Sequence, residues 1–203
     1  MILSEADQKR ISASIKSAEA KTSGEIVCVL ARASSNYMSF TTAWAALICL
    51  IIPWFLIALT NLSVERILLA QIIIFVVLFL VFSESTLQRI LIPRTVRRSM
   101  AHRVAMEQFM IRGMARKKNR ASVLIFASLA EHYARIIADV GIASKVNQSV
   151  WQDAIQSLLD CAGRGDIGQG FTVAIDKCGQ VLSQHFPPEP KQEDELPDRI
   201  YVI

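Results

Sequence analysis

Hydrolysis of a phosphate ester needs either a metal ion held by several carboxylates or an activated nucleophile. The residues that could supply either are few. Asp139 closes an Ile-Ile-Ala run and is the best-placed acid; Glu131 and Glu25 are the carboxylates that could join it around a divalent cation, calcium or magnesium. Each of the three also reads as a solvated or capping carboxylate, and Asp166 as the cap of a helix start. His102, His132 and His185 are scattered, with no HExxH or other metal-ligand spacing. Cys28, Cys49, Cys161 and Cys178 include no CxxC pair and read as buried free thiols of a reducing compartment. Residues 163–168 spell GxGxxG, but a dinucleotide fingerprint sits between a strand and a helix. Here the motif follows a helical pattern, so a helix–helix loop is expected. These patterns assign no catalytic residue.

The elements that must position these side chains are legible in outline. Ser4 is a good N-cap with Asp7 three residues on, and Ile11, Ile15 and Ala18 recur at helical spacing. Thr22-Ser23-Gly24 ends that helix, with Gly24 suited to the terminating turn. Residues 25–31 read as a buried strand. Pro93 opens a helix to about Arg116, with Val96, Met100, Val104, Met106, Phe109 and Met110 as its apolar face. Residues 122–128 read as a second strand and Tyr133 to Asp139 as a third, antiparallel to it across a short turn. Helices over about 148–161 and 167–184 follow. Pro187, Pro188 and Pro190 end the regular structure, leaving an acidic tail and an apolar terminus at Ile200 to Ile203. This order implies an α/β domain with a central mixed sheet flanked by helices.

Composition adds a second component. Hydrophobic residues make up 52% of the 203-residue chain, and the mean hydropathy of +0.36 exceeds that of an ordinary soluble domain. The excess lies between Phe40 and Phe82. Ala43 to Leu59 carries no charge, and about 20 apolar residues cross a hydrocarbon core; Pro53 sits within this run. A second run ends at Phe82 and contains Gln71 as its one strongly polar side chain, placed toward the loop end, where headgroups or the partner span come within reach. The connection is short, and two such runs are hard to cover in so small a domain. A transmembrane helical hairpin over 39–83 is therefore expected, dividing the domain into residues 1–38 and 84–186, with 187–203 as the acidic, Pro-containing tail.

An even number of crossings leaves both flanks on one side. Arg89, Arg94, Arg97, Arg98 and Arg103 follow the second run, and Lys16, Lys21 and Arg32 precede the first, whereas the loop has Arg66 beside Glu65. Both termini are then cytoplasmic. The first twenty residues show no secretory signal pattern. The basic stretch continuing through Arg112, Arg116, Lys117, Lys118 and Arg120 is explained by topology and attraction to anionic lipid. It has no interleaved aromatic platform for nucleic acid.

The order of these segments is similar to a known family. Leu3-Ser4 before a helix, Thr22-Ser23-Gly24-Glu25-Ile26 into a strand, Arg120 to Phe126 into Ser128, and Ile137-Ala138-Asp139-Val140-Gly141-Ile142 together resemble the TPM domain family. The nearer resemblance is to its bacterial membrane branch, in which a two-span hairpin follows the first strand and the chain ends near a Glu-Leu-Pro-Asp segment, here 195–198. The resemblance implies an α/β sandwich around a mixed sheet. It also implies membership of a group whose members act as assembly or modulatory partners, with acid phosphatase activity and a divalent-metal site in some plant members. A partner-binding module tethered to the bacterial inner membrane is the leading expectation, with the lipid bilayer and a membrane or cytoplasmic protein as partners. A divalent-metal-dependent phosphoester hydrolase is the alternative.

Overall fold

Two seven-residue runs without a single exposed side chain, Glu25–Ala31 (β1) and Ser122–Ser128 (β2), form the centre of the fold. Runs apolar on both faces suit the middle of a covered parallel sheet, and these two pair in parallel, Glu25 opposite Ser122 through Ala31 opposite Ser128. The computed structural model describes residues 3–34, 38–83, 92–114, 121–188 and 197–203. Arg89, the basic residues 116–120, Pro190 and most of the acidic tail lie outside that set.

The third strand, Tyr133–Ala138 (β3), returns antiparallel to β2 across a tight turn. A fourth, Ile200–Val202 (β4), pairs in parallel with Cys28–Leu30 of β1 and gives a mixed sheet of order β3-β2-β1-β4. The apolar terminus of the sequence is thus an edge strand, a role that three residues with a distant partner do not announce locally. Both edges are blunted. β4 is short, and on β3 the Gln148 side chain donates to the Ile136 carbonyl at 3.0 Å.

One face of the sheet is covered by Glu5–Glu19 (α1), Gln152–Gly163 (α6) and Ile167–His185 (α7), around Ile26, Cys28, Val123, Ile125, Trp151 and Phe171. Between β3 and α6 run the one-turn helix Val140–Ala143 (α5) and a 3-10 turn at Gln148–Trp151. The other face carries Val27, Val29, Leu124 and Phe126 against Ala105 and Phe109 of Arg94–Ile111 (α4). This helix buries Ala101, Ala105 and Phe109, and leaves Met106 and Met110 exposed. The expected methionine face is therefore only partly used. The helix also ends earlier than the pattern implied, because Gly113 adopts φ +70.

Glycine positions refine the sequence reading further. Gly24 is not left-handed; a β-carbon there would stand 3.2 Å from the Leu182 methyls and 3.3 Å from the Ala121 carbonyl. Its requirement is close approach rather than a helix-ending turn. The GxGxxG segment forms the loop between α6 and α7, with Gly165 at φ +84. A β-carbon on Gly168 would fall 2.5 Å from an Asp7 carboxylate oxygen of α1.

Residues 1–34 with 98–203 form one compact unit, and residues 35–97 form another. The second contains Met38–Leu59 (α2) and Val64–Ser83 (α3), both long and apolar enough to cross a membrane. Thr41, Ala45 and Cys49, four residues apart on α2, are buried, as is Ile67 of α3. Outside that seam the helices are apolar and exposed: Leu50, Trp54, Phe55, Leu69, Ile72 and Ile73 are all more than three-fifths exposed.

Candidate functional site at the ends of the sheet

The strand register decides which carboxylates meet. Glu25 opposes Ser122 on the adjacent strand, and the Asp139 N–H donates to the Ser122 carbonyl at 2.9 Å. Strand neighbours in register point to the same face, so Glu25, Ser122 and Asp139 form a row across three strands on the α4 side. All three are buried, at 3%, 0% and 4% exposure. Asp139 also caps α5, its Oδ1 accepting from the Val140 N–H at 2.6 Å. Among the described residues, its Oδ2 and the Ser122 hydroxyl have no hydrogen-bond partner. Buried polar atoms without partners are uncommon and call for a physical account.

Glu131 lies at the opposite end. Seven residues of strand separate the two ends by roughly 20 Å. Glu131 sits in the β2–β3 turn beside His132, a non-glycine residue at φ +46. Both of its carboxylate oxygens accept from the Ser34 N–H, at 3.2 and 3.1 Å. The Ser128 hydroxyl donates to Oε2, and the Ser34 hydroxyl donates to Ser128 Oγ at 2.8 Å. The turn is further clipped to the exit of β1 by Leu129 N–H to Ala31 and Ala130 N–H to Arg32 carbonyls, at 3.1 and 3.0 Å. Crevices at the carboxyl ends of parallel strands commonly bind ligands, but this carboxylate is engaged in holding two chain segments together. Ser34 and Ser128, absent from the sequence-level candidates, are 97 and 3 residues from Glu131, and no local pattern links the three.

A third group of acids gathers where β1 begins. Glu19 Oε1 accepts from the Ile26 N–H at 2.6 Å. Burial, opposed in part by that hydrogen bond, and then the nearby Asp198 and Glu25 carboxylates push the Glu19 carboxyl up to about 9. Below that pH it holds a proton and shares a hydrogen bond with Asp198, the residue two before β4. The last strand is also gripped by Arg112, whose guanidinium lies 3.3 Å from the Tyr201 ring centre, with Arg199 at 4.7 Å. Cys28 and Cys178 are fully buried thiols, and burial pushes both up, so neither is a reactive thiolate.

Glu25, Glu131 and Asp139 do not fit one divalent ion. Glu131 is at the wrong end of the sheet. The Glu25 and Asp139 backbones stand two strand spacings, about 10 Å, apart. Among the described residues no three His, Cys, Asp or Glu side chains converge in a way that could hold a metal. What remains is an acidic, buried row that can accept protons or polar hydrogens.

Residues 84–181 match the family model of the TPM domain. No curated protein matches the chain. Among solved structures, the NMR structure of the BA42 protein from the psychrophilic bacterium Bizionia argentinensis is similar, with a TM-score of 0.61 at 20% identity, covering 98% of this chain and 94% of that one. At that identity the likeness concerns the fold. Residues 84–181 are TPM-like in sequence and supply β2 and β3 of the mixed sheet together with helices that flank it.

Proposed function

We propose that this chain is a member of the TPM family's bacterial membrane branch: a cytoplasmic TPM-like domain, tethered by a two-span hairpin to the inner membrane, that binds or modulates a protein partner there. The observation carrying the tether is the exposure of the hairpin. Among the described residues only Thr41, Ala45 and Cys49 of α2 and Ile67 of α3 are buried. Each large apolar side chain left in water forfeits about 1.5–3 kcal/mol of transfer free energy, and a patch of this extent needs a covering medium. Polar groups near the helix ends are already satisfied: the Thr60 hydroxyl donates to the Leu56 carbonyl at 2.5 Å and the Ser83 hydroxyl to the Phe79 carbonyl at 2.7 Å. Arginines after the second span, against the Glu65–Arg66 loop, favour cytoplasmic termini.

Alkaline carbonate extraction of membranes tests the tether; the full chain stays in the pellet, and release without detergent overturns the reading. A fluorescent protein fused after Ile203 glows and a periplasm-dependent phosphatase reporter there is inactive; the reverse pattern inverts the topology. Hydrolysis of a chromogenic phosphate ester by the detergent-solubilised chain with magnesium or calcium, lost in Asp139→Asn, would replace the binding-module reading with a hydrolase.

A further inference from the structure

We infer that the hairpin is a self-association surface, on which the Gln71 carboxamide of one copy pairs with the Gln71 carboxamide of a second copy in the hydrocarbon. This rests on the membrane reading above. Gln71 lies seven residues into α3, about 10 Å along a helix roughly 30 Å long. That is two turns beyond the loop end, at hydrocarbon depth rather than among headgroups. Its backbone carbonyl accepts from the Cys49 thiol at 3.2 Å, which fixes the crossing of α2 and α3 at this level. The side chain is a different matter: it makes no hydrogen bond with another described residue. It lines an open, largely apolar groove of about 310 Å³ with Ala46, Cys49, Leu50, Ile72 and Phe75.

The choice of occupant follows from hydrogen-bond chemistry. A carboxamide carries two N–H donors and an acceptor oxygen, and leaving it unpaired in an apolar medium costs about 2–7 kcal/mol. Acyl chains offer neither donor nor acceptor. A two-fold-related copy offers both, in the same groove, because a surface meeting itself across a two-fold axis is self-complementary when its polar group both donates and accepts. The small residues Thr41, Ala45 and Cys49 are already buried. The neighbouring face, where Ala46 leaves room beside Gln71, remains for a second hairpin. Polar side chains of this kind drive helix association in membranes, with effects on dimer affinity of about three- to thirty-fold.

The test uses the full chain with donor and acceptor fluorescent proteins fused after Ile203, reconstituted in phosphatidylethanolamine–phosphatidylglycerol vesicles over a range of protein-to-lipid ratios. Wild type shows energy transfer that falls on lipid dilution. Gln71→Leu needs about three- to thirty-fold more protein per lipid for the same transfer, while Gln71→Asn, which keeps the carboxamide, stays within about threefold of wild type. Absence of transfer by the wild type at every ratio, or a Gln71→Leu curve superimposable on wild type, overturns the inference. Carbonate extraction of the same vesicles separates the two readings. A chain that resists extraction yet does not associate sinks only the self-association, whereas an extractable wild type sinks the membrane reading beneath it.

Discussion

The two ends of the α4-facing side of the sheet carry buried carboxylates in opposite states. At the β2–β3 turn, Glu131 accepts hydrogen bonds from Ser34 and Ser128 and ties the exit of β1 to the hairpin. At the other end, Asp139 spends one oxygen on a cap and leaves the second without a partner among the described residues. A buried carboxylate with its acceptors filled stabilises; one with an orphaned oxygen costs stability and persists only if something else requires it. The contrast separates a structural acid from the acid most available for binding, although Glu25, Glu131 and Asp139 look alike in the sequence.

The largest effect that would sharpen this contrast is at Glu131. Glu131→Ala leaves the Ser34 N–H and the Ser128 hydroxyl buried without acceptors and lowers unfolding stability by about 3 kcal/mol, measured by urea titration of the full chain in detergent. A loss below about 1 kcal/mol would erase the distinction between the ends. Ser128→Ala removes a donor to the same carboxylate and lowers stability by about 1–2 kcal/mol, as expected for a hydrogen bond to a charged group.

Glu19 supplies a pH-dependent version of the same test. Its carboxyl is raised to about 9 by burial and by Asp198 and Glu25. The folded chain therefore binds a proton that the unfolded chain releases above the ordinary value of 4.5. The contribution of Glu19 to folded stability is fully present below 4.5 and is lost as pH rises toward about 9. Glu19→Gln keeps an oxygen for the Ile26 N–H and removes the ionisation. The expected outcome is a shallower decline of Tm between these limits. Parallel wild-type and variant curves would show that burial and the neighbouring carboxylates do not hold Glu19 protonated in the fold.

How much of this was readable in advance depends on whether the cause is local. β1 and β2 declare themselves as unbroken apolar runs, and β3 by its short turn from β2. The helix caps at Ser4 and Asp166 follow from one residue and its third neighbour, and both form: Ser4 Oγ accepts from the Asp7 N–H at 3.1 Å and Asp166 Oδ1 from Gln169 at 3.1 Å. What fails is long-range. β4 is three residues whose partner lies some 170 positions away. Gly24 is dictated by a leucine on α7, and the buried face of α4 by the sheet residues it meets. The candidate acids were legible as residues, but not as a row and a clasp, because register across β1, β2 and β3 decides which of them are neighbours.

The smallest effect is the most pointed. Ser122 is fully buried, its hydroxyl has no partner among the described residues, and it stands between Glu25 and Asp139 in the register of the sheet. If the row were purely structural, that hydroxyl would have been drawn into a hydrogen bond as Ser128 was at the other end. Ser122→Ala removes a desolvated group that gains nothing from folding, so stability should be unchanged or rise by about 0.5 kcal/mol. The equivalent change at Ser128 is destabilising. The same substitution at equivalent positions of the sheet would then have opposite signs, and the sign rather than the size carries the conclusion. A loss of 1 kcal/mol or more in Ser122→Ala would mean that the hydroxyl is bonded in the folded chain, and the two ends would be clasps of the same kind.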